Sequence, residues 1–360
     1  MAALLKNLYN EEYIELLCIS IKENFTSFKS DDFTKYIFTK EWKTKELKDR
    51  MRHISTTLGV YLPSSYIKAI SILKLTFNKM NFSYGLENMI FQDFVEVYGL
   101  NELKISLDAL ETFTIKSSSE FAIRRFILKY PHESMKQMFL WAKSPNEHIR
   151  RLASEGSRPR LPWAVALPLF KLQPQEILEI LELLKDDESK YVRKSVANNL
   201  NDISKDNPQI VIQITTEWIN YSDNRDALLK HGCRTLLKAS NRQTLELFGF
   251  SKPTDISLDN FTFTDSVKLG EELAFSFELI GEEKLGKLRV EFALHFLRKN
   301  SKHNKKVFKI SEGIYSSNHK ILSKTYSFKP ISTRVYYKGV QRLSIIINGE
   351  VFKEVEFILF

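Results

Sequence analysis

Between Ser144 and Phe170 the chain concentrates side chains that could act on a nucleic acid: Arg150, Arg151, Glu155, Arg158, Arg160 and Trp163. Four arginines against one glutamate in the eleven residues 150–160 leave a local charge of +3. Cations neutralise phosphate, an aromatic ring stacks on a base, and a carboxylate attracts a cationic base or sugar. Trp163 follows Pro162 and precedes Pro168, and prolines stiffen the backbone around it. The same residues also fit a plainer arrangement, in which a surface helix carries an Arg151–Glu155 (i, i+4) pair and the tryptophan fills the core.

These side chains need elements to hold them. Ser144-Pro145-Asn146-Glu147 carries helix-start signals, a Ser three residues before a Glu with Pro at the first helical position. Residues 1–250 read as helix after helix. A loose apolar stripe runs through Leu16, Leu17, Ile19, Ile21 and Phe25. Glu46–Leu58 is amphipathic, and Ser64-Ser65 can cap a following helix Tyr66–Leu75. Met89–Tyr98 stops at Gly99 and is followed by Leu103–Phe113. Ser117-Ser118-Ser119 is expected to cap a helix Glu120–Tyr130 that Pro131 closes. Ile123-Arg124-Arg125, Ile149-Arg150-Arg151 and Val192-Arg193-Lys194 each sit early in a helix, and Asp226–Leu237 reads as a further copy. Such repetition indicates paired helices stacked as a HEAT-like solenoid. The recurring basic residues then line one face, expected to be the concave one, or simply cover the solvated side of each helix.

The pattern changes near residue 250. Alternation replaces the helical period in Leu273–Leu279, Leu288–Phe296, Tyr326–Phe328, Leu343–Ile347 and Val351–Phe357. Asn348-Gly349 is a strong short-hairpin dipeptide. Roughly seven short strands suggest an immunoglobulin-like β-sandwich without its disulfide. The expected division is therefore an all-α solenoid over 1–250 and a β-sandwich over 251–360. Arg298–Lys309 holds six basic residues and no acid, and reads as a hairpin loop that either rests on phosphate or is a solvated tip.

Composition sets outer bounds. A hydrophobic content of 43% supports a sizeable core, and the net charge of +9 favours an anionic partner. Cys18 and Cys233 are the only cysteines, which leaves no disulfide framework and no zinc-type spacing. The N-terminus lacks a secretory pattern, and Leu161–Phe170 is half the length of a membrane span. A cytoplasmic protein that needs no metal or cofactor is expected.

Arg150–Ala164, read RRLASEGSRPRLPWA, resembles the signature of the AlkC branch of the AlkC/AlkD superfamily, DNA glycosylases that remove alkylated bases. Leu47–Pro63, Tyr98-Gly99-Leu100, Ser118–Phe126 and Thr333–Glu350 resemble the same family, so the likeness covers nearly the whole chain. Arg125 stands where that family leads one to expect proline. The resemblance implies catalytic roles for Asp202, Glu120 and Glu155, and a base- or sugar-contacting role for Trp163. Arg151, Arg158, Arg160, Arg193 and Lys194 are then expected on DNA phosphates. The partner implied is duplex DNA with alkylated bases, bound by a monomer, with the β domain closing around it.

The chemistry is coherent. Alkylation at a ring nitrogen such as N3 of adenine makes the base cationic and its glycosidic bond weak. The enzyme needs only to stabilise developing positive charge and admit a water, which fixed carboxylates do. Without the resemblance each carboxylate has an ordinary reading: Asp202 as a cap, Glu120 in an i, i+4 pair with Arg124. A protein-binding scaffold or a non-catalytic nucleic-acid binder stays open on those terms. Convergence of the three carboxylates and Trp163 on one basic groove discriminates between them.

Overall fold

The computed structural model describes residues 4–80, 84–332 and 334–360. Sixteen α-helices and eight strands lie among them, helices first and strands after residue 255. The chain forms two compact units, residues 1–207 with 222–232, and residues 208–221 with 233–360.

In the first unit, apolar periodicity sets each helix. Helix Glu11–Lys22 buries Ile14, Leu17 and Ile21 and leaves Leu16 and Ile19 in solvent, so the stripe read from sequence is narrower than expected. Leu47–Tyr61 opens with a Glu46/Asp49 capping box and packs against Met89–Tyr98. Phe77, Phe91 and Phe113 meet with ring centroids 5.0–5.4 Å apart. Helices Leu103–Thr114, Glu147–Gly156, Lys190–Ile203 and Asp223–Gly232 pack in succession, with Pro131–Trp141 and Gln175–Leu184 forming a second row. This alternation is the expected helical-repeat arrangement.

Local starts and stops differ from expectation in four places. The helix after Ser117–Ser119 begins only at Ile123, leaving Glu120 in a turn. Pro131 opens the next helix at its first position, where a missing N–H does no harm, rather than merely closing the previous one. Asn146, not Ser144, caps Glu147–Gly156, its side chain accepting from the His148 N–H at 2.9 Å. Gly99 ends its helix at φ −95°, without a left-handed turn.

The second unit is built on strands β1 (Ile256–Phe263), β2 (Ser266–Val267), β3 (Glu272–Gly281), β4 (Gly286–Leu297), β5 (His303–Tyr315), β6 (His319–Ser327), β7 (Gly339–Ile347) and β8 (Glu350–Leu359). One sheet has order β1-β3-β6; the other has order β2-β8-β7-β4-β5, with β2 parallel to β8 and the rest antiparallel. Leu273, Phe275, Phe277 and Leu279 of β3 alternate inward against Phe292, Leu294 and Ile345 of the facing sheet. Phe275 and Phe292 meet edge to face at 5.2 Å. Asn348 and Gly349, at φ 44° and 88°, make the two-residue turn their types demand. The basic segment is mostly strand: only Arg298–Lys302 is loop, because Phe308 and Ile310 pack on the sandwich core and draw the following residues into β5.

The turn residue Asn348 also ties helical chain to the sandwich. Its side chain donates to Ser251 O at 2.9 Å, and its carbonyl accepts from Arg242 at 3.2 Å. The helices after Cys233 therefore share the sheet's compact unit.

Candidate active site

Two polar stripes face each other across adjacent helices. On Lys190–Ile203, Ser195, Asn199 and Asp202 fall at i, i+4 and i+7, one helical face, and all are buried. On Glu147–Gly156 and its exit, Arg151, Glu155 and Arg158 repeat that spacing. The stripes interlock. Ser195 Oγ donates to Glu155 Oε2 at 2.6 Å, and Asn199 Nδ2 donates to Ser154 O at 2.8 Å. Arg158 Nε donates to Asp202 Oδ2 at 2.8 Å, and its Nη1 donates to Glu155 Oε1 at 2.6 Å.

Glu120 joins from the turn before Ile123. Arg151 Nη1 donates to Glu120 Oε2 at 2.9 Å and to Ser118 Oγ at 2.6 Å, and the guanidinium lies 3.8 Å from Glu155. Lys205 Nζ meets Asp202 Oδ1 at 2.8 Å. The result is a chain of alternating charge, Glu120–Arg151–Glu155–Arg158–Asp202–Lys205. Asp202 is 1% exposed. Burial works against the charged form of both arginines. For Arg151, Glu120 and then Glu155 outweigh it; for Arg158, Glu155 and Asp202 do, so both guanidiniums bind their proton more tightly than usual. Isolated charges would not survive such burial; paired and hydrogen-bonded ones do.

Aromatic side chains back the strip. The Arg151 guanidinium sits 5.0 Å from the Tyr191 ring centre, and the Tyr191 and Tyr84 hydroxyls are 3.0 Å apart. His148 stacks on Tyr84 at 4.9 Å, and burial lowers its pKa, favouring the neutral ring.

Trp163 lies on the loop that leaves Glu155 and Arg158. Its indole is 71% exposed, so it does not fill the core. Its φ is +64°, a left-handed conformation that strains a non-glycine residue by about 1–2 kcal/mol. Lys48 Nζ donates to its carbonyl at 2.7 Å. Beside it opens a cleft of about 170 Å³ walled in part by Phe121, Arg125, Asp93 and Glu96. Arg125 points to this cleft and lies 3.7 Å from Glu96.

The remaining expected phosphate contacts are placed as follows. Arg160 makes a two-toothed pair with Asp206 at 2.9 and 2.6 Å. Arg193 Nη1 donates to the carbonyls of Asp187 and Glu188, and its Nη2 donates to Asn224 at 3.1 Å. Arg150 pairs with Asp187 at 2.6 Å. Arg150 and Arg193 thus both hold the Asp187-Glu188 turn, while Arg124, Arg125 and Arg151 of the other copies have partners elsewhere. Arg151 and Arg158, expected at phosphate, lie between carboxylates instead. Lys194 is exposed and makes no ion pair among the described residues. The Glu120–Arg124 pair is not formed; Arg124 turns inward. Sequence reasoning does not single out Ser195, Asn199, Tyr191 or Lys205, and it assigns Arg124 only to a repeat and to a pair with Glu120. Polar residues at the core phase of an amphipathic helix are the available signal for the first two. Among the described residues no group of three His, Cys, Asp or Glu could hold a metal, and no helix is long and apolar enough to cross a membrane.

Asp93 offers a pH test of this region. It accepts from Ser55 and pairs with Arg52 at 2.9 Å, yet burial pushes its carboxyl from 3.8 up to about 6, with Ser55 and Arg52 opposing. A raised folded-state pKa means tighter proton binding in the folded protein. Its stabilisation is therefore full below the unfolded value and lost as pH rises through about 6. Between about pH 7.5 and pH 5, wild type should gain about 1 kcal/mol over Asp93→Asn in urea unfolding. Parallel curves for the two proteins would contradict it.

A family model described as "DNA alkylation repair enzyme" matches residues 111–236, and one described as "Uncharacterised protein YhaZ, C-terminal Ig-like domain" matches residues 257–360. The chain is 41% identical over 355 residues to "Uncharacterized protein YhaZ" of Bacillus subtilis (strain 168), covering 98% of each. Among solved structures it is similar to the alkylpurine DNA glycosylase AlkC of Pseudomonas fluorescens, bound there to DNA containing an abasic site analogue. The TM-score is 0.93 at 30% identity, covering 99% of this chain and 100% of that one.

Proposed function

Since the chain belongs to the AlkC-type branch of the DNA alkylation repair enzymes, we propose that it is a monofunctional glycosylase excising cationic N3-alkylated bases from duplex DNA. Glycosylase activity goes with the family. N3-methyladenine is the first substrate proposed and N3-methylcytosine the second. The protein acts as a monomer in the cytoplasm and leaves an abasic site.

The observation that supports this reading is the strip Glu120–Arg151–Glu155–Arg158–Asp202, three carboxylates spaced by two arginines. Their oxygens are oriented before substrate arrives, so little reorganisation is needed as positive charge develops. Asp202 is assigned to the oxocarbenium-like sugar and to positioning the water. Glu120 and Glu155 support the cationic base, and Trp163 contacts base or sugar. Water attacks the sugar carbon, the glycosidic electron pair neutralises the leaving base, and the proton from water passes to solvent or a carboxylate. No lysine amine is needed as nucleophile, so strand cleavage without alkali or heat should not occur.

Arg151 and Arg158 then orient carboxylates, and phosphate binding falls to exposed cations: Lys194, Arg160, and the β-domain loop Arg298–Lys302. Binding should weaken steeply with salt. Replacing Lys299 and Lys302 by alanine should reduce the slope of log K against log salt by about 0.9 for each phosphate no longer neutralised. An unchanged slope removes that loop from the interface.

The deciding experiment is release of free methylated bases from methylated duplex DNA. Release by wild type supports the reading. No release with salt-sensitive binding intact makes the chain a non-catalytic DNA binder, and absence of both makes it a protein scaffold.

A further inference from the structure

Arg124 is the largest fully buried charged side chain, and the reaction above leaves it without a role. It is 0% exposed and forms no ion pair with a carboxylate among the described residues. Two of its three nitrogens donate to backbone, Nε to Val165 O at 2.5 Å and Nη1 to Gly156 O at 3.0 Å and to Arg158 O at 2.7 Å, while Nη2 is buried without a partner among the described residues. Those carbonyls come from the two ends of one loop, between the helix that stops at Gly156 and the next that starts at Pro168. One planar guanidinium therefore closes the loop at its base.

The loop needs such support. Its own bonds are long: Ala164 N to Leu161 O at 3.3 Å and Leu167 N to Pro159 O at 3.2 Å. Pro159 and Pro162 donate nothing. Trp163 is held left-handed at φ +64°, a state that persists only where surroundings over-determine it. Lys48 supplies the outer restraint, at 2.7 Å to the Trp163 carbonyl.

We propose that Arg124 from the interior and Lys48 from the surface are positioning residues that clamp the loop 157–165, so that it presents the Arg158 side chain to Glu155 and Asp202 and the Trp163 indole to the substrate. This rests on the glycosylase reading above. Arg158 is then anchored twice, its carbonyl by Arg124 and its guanidinium by the carboxylates. Burial lowers the Arg124 pKa to about 10, with nearby Arg158 adding to the effect, and it remains a cation at neutral pH. Lysine would keep the charge but, as a point donor, could not span carbonyls at both loop ends.

Trp163 provides the readout. Trp42, Trp141 and Trp218 are 7%, 2% and 6% exposed against 71% for Trp163, so acrylamide quenching of the full chain reports on Trp163, with Trp163→Phe as baseline. Arg124→Lys and Lys48→Met should each change the quenching. Each should also lower single-turnover excision about tenfold or more, since small misplacements of reacting groups are costly. Affinity for duplex with an abasic-site analogue should change less than about threefold. Unchanged quenching and excision overturn the clamp. So does a drop in affinity matching the drop in excision, which would place these cations on DNA. If Arg124→Lys does not fold, the surface variant Lys48→Met decides. If wild type releases no base, the glycosylase reading fails, and quenching alone still decides the clamp.

Discussion

Asp202→Asn should lower release of N3-methyladenine from methylated duplex DNA by about 10²–10³-fold while duplex binding is retained. The substitution preserves shape and removes one negative charge. Asp202 is the most buried of the three carboxylates, and its two oxygens are committed separately to Arg158 and Lys205, each at 2.8 Å. Without its charge the strip loses the group assigned to the oxocarbenium-like sugar. Arg158 and Lys205 then bring uncompensated positive charge to a site where positive charge must develop. Binding should persist, because exposed cations elsewhere carry the phosphate contacts. Full excision by the folded variant would withdraw Asp202 from catalysis and leave it a partner of Arg158.

Arg158→Met should have the largest effect on stability, about 3–5 kcal/mol in denaturant unfolding. Methionine matches much of the stem and none of the charge. Glu155 and Asp202 would then sit buried side by side without the guanidinium that bridges them at 2.6 and 2.8 Å. Ser195 and Lys205 would remain nearby donors to them, one for each carboxylate. Excision should fall with stability, even where the variant is still folded, because the two like charges would repel and move apart. A companion variant, Arg160→Met, breaks only the exposed pair with Asp206 and should shift stability by no more than about 1 kcal/mol. Equal destabilisation by both would mean that Arg158 contributes as a surface pair does.

Much of the fold can be read from local pattern. Periods of the apolar residues separate the helices before residue 250 from the strands after it, and Asn348-Gly349 identifies its turn. Boundaries are less legible, because caps compete: Asn146 prevails over Ser144, and Pro131 serves as a start. Charge alone marks the basic segment 298–309 as loop, whereas edge-strand pairing of β5 with β4 absorbs its second half.

The site divides in the same way. Residue types and the i, i+4, i+7 spacing of Ser195, Asn199 and Asp202 are set within one helix, and that geometry follows from 3.6 residues per turn. A cation's partner is not local. Nothing in the linear order separates Arg158, held between carboxylates, from Arg160 two residues on, held by Asp206, or Arg193, held by turn carbonyls. Nor does it show that Arg124 faces inward while Arg125 faces a cleft. Local pattern along the chain is enough for the helical repeats, the sandwich and the supply of carboxylates, arginines and a proline-flanked tryptophan. Which charges meet is settled by packing between helices. Pairing depends on the packing of helices about forty residues apart, and where the pair is buried, as for Arg158 with Glu155 and Asp202, removing one partner is costly.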